Sequence, residues 1–111
     1  MSANKGGNAF SRVVVKFGGT SLADGLRVSR AAESVAKKAR QGVQVVVVVS
    51  AMGKSTDALI ETVHQACEGS GSNADLDDVV AMGERTSARV FSAALKAQGI
   101  RSRYLDTSHK D

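Results

Sequence analysis

The chain has 111 residues, 42% hydrophobic but only 4% aromatic, with fifteen Lys and Arg against eleven Asp and Glu for a formal charge of +4. That is one domain or part of one, large enough for a core, and no apolar run reaches the length of a membrane span. The positive excess is spread along the chain rather than gathered into a basic stripe with stacking aromatics, which argues against nucleic acid and for a small anionic ligand.

The opening "MSANKGGNAFS" lacks an apolar signal region, so residues 1–11 read as a flexible leader on a cytoplasmic protein. Cys67 is the single cysteine and has no internal disulfide partner, in keeping with a reducing compartment. Residues 12 to 17 form a short apolar strand that runs into "KFGGTS" at 16 to 21. A lysine at a strand end followed by two glycines suits an anion, because bare backbone at Gly18 and Gly19 lets N–H groups approach a ligand.

Val28, Ala31, Ala32, Val35, Ala36 and Ala39 then recur at helical spacing, with Gly42 as the stop. "VQVVVVVS" at 43 to 50 reads as a strand buried on both faces of a parallel sheet, which helices must cover. Leu59, Ile60, Val63 and Cys67 mark a second helix, ended by "EGSGSN" at 68 to 73. A third is expected from Asp75 to Gly99, its early aspartates favoured by the helix dipole. "IRSRYLD" at 100 to 106 reads as a closing strand. The order β-α-β-α-α-β gives an α/β fold whose ligands sit beyond the carboxyl ends of the strands, where Lys16 with its glycines and Ser50 both fall.

"GKST" at 53 to 56 imitates the end of a Walker A loop, but the required earlier glycine is Val48. No G-x-G-x-x-G occurs, and Asp75, Asp77 and Asp78 lack calcium-loop spacing. His64 and His109 read as surface or edge residues, Cys67 as core, and Lys54 as an exposed charge. For Ser50 and Thr56 the simple role is helix capping. A helical glutamate such as Glu84 is usually just solvated, although Gly83 beside it would let a neighbour or ligand come close.

Three segments in order change that balance: "VVVKFGGTS" at 13 to 21, "VVVVVSAMGKSTD" at 45 to 57 and "MGERTSARVFSAAL" at 82 to 95. Together they resemble the aspartate kinases of the amino-acid kinase family, over nearly everything from Arg12 to about Asp106. The resemblance implies a three-layer α/β/α sandwich around a mostly parallel sheet. It also implies transfer of the ATP γ-phosphate to the β-carboxylate of L-aspartate, the first step of lysine, threonine and methionine biosynthesis. On that likeness Lys16, Phe17, Gly18 and Gly19 match the ATP-phosphate segment, with Thr20 and Ser21 beside it, and Ser50, Thr56 and Glu84 match positions around the aspartate. ATP brings Mg2+, held mainly by phosphate oxygens, and the family tends to form dimers.

The residues suit that chemistry. Two like charges ~4 Å apart repel by about 4 kcal/mol at an effective dielectric of 20, so a cation such as Lys16 belongs between phosphate and carboxylate. The amides of Gly18 and Gly19 can stabilise charge as it builds up, and an ionised carboxylate nucleophile needs no general base. The family's catalytic domain is more than twice this length, so the expectation is an amino-terminal fragment, inactive alone. The alternative is a non-catalytic phosphate-binding or regulatory module.

Overall fold

The computed structural model describes residues 11–105. The predicted leader, apart from Ser11, and His109 lie outside them. The elements are strand β1 (Arg12–Phe17), a 3-10 turn (Thr20–Leu22), helix α1 (Gly25–Arg40), strand β2 (Gln44–Val49), helix α2 (Gly53–Ala66) and helix α3 (Asn73–Ala97). The two strands pair in parallel with Arg12 opposite Gln44 and Phe17 opposite Val49. Ser11 carries the pairing one step back through its carbonyl, which accepts from Gln44 N–H at 2.9 Å. This is the α/β class with a parallel sheet that the periodicities predict.

A helix layer made by α1 and α3 covers one face of the sheet. Val28, Ala31, Ala32 and Val35 of α1 join Phe91 and Leu95 of α3 and Leu22 in a single core cluster, and Phe17, Val45, Val47 and Val49 pack against it. The alanines leave no side chain beyond Cβ, so α1 approaches the sheet and α3 closely. The rings of Phe17 and Phe91 lie 5.3 Å apart, centroid to centroid, fixing α3 over the end of β1.

The expectation that β2 is buried on both faces fails among the described residues. Burial alternates along both strands, and Val14, Val46 and Val48 are 69%, 40% and 44% exposed on the face away from the helices. The valine run hides this, because a strand with one covered face and one open face carries the same residue at every position.

Asp24 caps α1 by accepting from Arg27 N–H at 2.9 Å, and Lys37, Lys38 and Arg40 in its last turn complement the dipole. Gly42, at φ 89°, ends it in the left-handed region that favours glycine. Helix α3 starts two residues earlier than predicted. Ser72 is its cap, accepting from Asp75 N–H at 3.1 Å while donating its own hydroxyl to the Asp75 carboxylate at 2.9 Å.

The closing strand expected at 100 to 106 does not form among its described residues: 100–105 has no ladder partner. The segment turns back along α3, where the hydroxyls of Ser92 and Ser102 are 2.6 Å apart and the Arg89 guanidinium lies 5.1 Å from the Tyr104 ring centre. Arg40 ties the far end by donating to the Gln98 carbonyl at 2.8 Å. Cys67 is half-buried at the end of α2 and stands outside the core cluster, and His64 is exposed. No helix among the described residues is long and apolar enough to cross a membrane.

Candidate functional site at the carboxyl ends of the strands

The sheet pairing runs one step past the strands, with Ser50 N–H donating to Phe17 C=O at 3.1 Å. This places the two loops side by side. A Cβ on Gly19 would meet the Ala51 carbonyl oxygen at 3.2 Å and Gly53 N at 3.4 Å, so the loops touch backbone to backbone and a larger residue at 19 would push them apart. Gly18 has open space where its Cβ would be. The amides of Gly18, Gly19 and Thr20 donate to no backbone carbonyl among the described residues. Unpaired donors near open space are what a phosphate requires.

The third segment joins through α3. A Cβ on Gly83 would lie 2.7 Å from Thr56 Oγ1 and 3.0 Å from Ala51 Cβ. The neighbour that Gly83 admits is therefore the Thr56 side chain, itself buried. Glu84 follows on the same helix and is exposed. Gly19, Ser50, Gly53, Thr56 and Gly83 thus gather at one end of the sheet from three separate segments of the chain.

Capping does not explain Ser50 or Thr56. The residue before α2 is Met52, and the helix start has no side-chain cap and no acidic residue in its first turn. The amides at Gly53, Lys54 and Ser55 are left for a ligand or for water, and an uncapped helix start favours an anion. Sequence reasoning missed this feature. The signal was present in the lack of a Ser, Thr, Asp or Asn at position 52.

Other predicted residues divide differently. Lys16 is exposed and alternates with Phe17, so its side chain leaves the strand on the open face while Phe17 enters the core. Phe17 is a packing residue that holds the glycine turn against α3. Thr20 and Ser21 line a shallow surface cleft on the α1 side with Arg27, Arg30 and Ser34. Among the described residues the buried hydroxyl of Ser87 has no hydrogen-bond partner; it lies one turn beyond Gly83 on α3.

The family model described as "Amino acid kinase family" matches residues 11–111. The chain belongs to the amino acid kinase family. Within that family, relatives carry the names predicted by the three segments. An aspartokinase of Mycobacterium tuberculosis is 41% identical over 91 residues, which is 82% of this chain and 21% of the relative. Aspartokinase 2 of Bacillus subtilis is 40% identical over 87 residues, covering 78% of this chain and 21% of the relative. The crystal structure of aspartate kinase from Synechocystis superposes with a TM-score of 0.72 at 35% identity, over 79% of this chain and 15% of that one. The described fold is thus the amino-acid kinase fold over this region. The chain spans about a fifth of the length of the curated relatives it matches.

Proposed function

We propose that the chain supplies one side of an aspartate kinase site, in which the β-carboxylate of L-aspartate attacks the γ-phosphorus of ATP. A carboxylate oxygen forms the new P–O bond, the bond from the γ-phosphorus to the bridging oxygen breaks, and ADP leaves with that electron pair. No proton moves, so no general base is called for. The observation that carries the reading is the meeting of the glycine turn, the uncapped start of α2, Thr56 and Gly83 at one strand-end crevice.

The donor set suits two anions. The amides of Gly18 and Gly19, with the Lys16 ammonium on its flexible four-carbon stem, face the terminal phosphates, and the hydroxyls of Thr20 and Ser21 stand at the edge of that turn. The start of α2 with Ser50 and Thr56 receives a substrate carboxylate, while Glu84 pairs with the substrate ammonium. Among the described residues there is no group of three or more His, Cys, Asp or Glu that could hold a metal ion. The Mg2+ that accompanies ATP takes its ligands mainly from phosphate oxygens and water in this reading. Small-metabolite substrates and the lone cysteine fit a cytoplasmic setting.

The test is a chimera in which residues 11–105 replace the matching segment of the Mycobacterium tuberculosis aspartokinase. We expect ADP release that depends on aspartate, with the acyl phosphate trapped by hydroxylamine. Lys16→Ala in that chimera should lower kcat about a hundredfold or more with an unchanged melting temperature, and Glu84→Gln should chiefly raise the aspartate KM. A chimera that melts cooperatively and binds ATP but releases no ADP would instead favour a non-catalytic phosphate-binding module.

A further inference from the structure

A second cleft lies on the α1 side of the glycine turn, apart from the crevice above. It has a volume of about 390 Å³ and is lined by Phe17, Thr20, Ser21, Arg27, Arg30, Ala31 and Ser34. That volume lies in the range of small-molecule sites. Every polar side chain on its wall is a guanidinium or a hydroxyl, and no carboxylate lines it.

The two arginines are differently committed. Arg27 donates through Nη1 to the Thr20 carbonyl at 2.9 Å and has its Nε 3.9 Å from the Asp24 carboxylate, so it is braced between the turn and the helix cap. Arg30, one turn further along α1, has no hydrogen bond or ion pair among the described residues. Ser34 is another turn on, so Arg27, Arg30 and Ser34 share one helix face at spacings of three and four. A charged fork without an acceptor, flanked by three hydroxyl donors, matches the oxygens of a phosphate. Phe17 and Ala31 give the floor an apolar part, where the body of an organic phosphate can rest.

We infer that this cleft binds a small phosphate-bearing metabolite through Arg30, Arg27 and the Ser21 and Ser34 hydroxyls. The site does not depend on the phosphotransfer reading. Lys16 leaves the strand on the opposite face from Phe17, so its side chain and the cleft lie on different sides of β1. The two sites share only the short turn from Gly18 to Leu22. A ligand bridging Thr20–Ser21 to Arg30 would hold that turn against α1, which makes occupancy of the cleft a means of setting how rigidly the glycine amides are presented.

The experiment is an amide-resolved NMR titration of the 111-residue chain with phenyl phosphate at constant ionic strength, compared with chloride. We expect saturable shifts at Ser21, Arg30 and Ser34, distinct in dissociation constant from any at Gly18 and Gly19. Arg30→Gln should weaken the first set about tenfold, the scale of one charge-assisted hydrogen bond, and leave the second set in place. Lys16→Ala should do the reverse. Since Arg30 is exposed, its variant is expected to keep the melting temperature of the parent, which the same samples report. Three results would overturn the inference: equal shifts with chloride, an unchanged first set in Arg30→Gln, or loss of the first set in Lys16→Ala.

Discussion

Helices α1 and α2 are similar in length, yet they are held in opposite ways. Five side chains of α1 are buried, its start is capped by Asp24 and its end carries three basic residues. Helix α2 buries only Thr56, begins without a cap, and rests on α3 through the contact of that threonine with Gly83. One helix is secured by apolar area and dipole chemistry. The other meets α3 closely at its first turn, and there it forgoes the cap that would have stabilised it. A ligand site is marked by the stabilisation a helix leaves unused as much as by the residues it displays.

Substitutions on the two sides should separate the cases. The largest effect is expected at Leu22, which is 1% exposed beneath the turn into α1. Leu22→Ala should cost about 3 kcal/mol in denaturant unfolding, through lost transfer energy and a residual cavity. Next comes Gly83→Ala. Its methyl group would stand 2.7 Å from Thr56 Oγ1 and must displace either helix, so about 2 kcal/mol is expected, with a weakened aspartate affinity in the chimera. Asp24→Ala removes one cap and should cost about 1 kcal/mol, with melting followed by circular dichroism. The smallest effect is at Leu59 on the exposed side of α2, where alanine should change stability by less than about 0.5 kcal/mol. A loss at Leu59 comparable to that at Leu22 would mean that α2 is held by apolar area after all.

What could be read beforehand follows the range of the forces involved. Helix α1 was legible because its apolar spacing, its glycine stop and its burial all obey local rules, and β1 and β2 were legible as strands. The open face of β2 was not, since "VVVVV" has no alternation to reveal which valines meet a helix. Ile100–Leu105 does alternate, with Ile100, Ser102 and Tyr104 half-buried and Arg101, Arg103 and Leu105 exposed. A strand, however, needs a neighbour to pair with, and no spacing rule supplies one. At the site, the approach of Gly19 to Ala51 and of Gly83 to Thr56 was foreshadowed by glycines beside chemistry-bearing residues. The direction of the Lys16 side chain was set by a parity along β1 that only the packing of Phe17 fixes.

The open face of the sheet has a thermodynamic corollary. Val14, Val46 and Val48 meet water, and each forgoes on the order of 1 kcal/mol that a cover would return. The apparent melting temperature is thus partly a property of whatever lies across those three valines. It should climb with protein concentration if copies stack there, and with any added polypeptide that shields them.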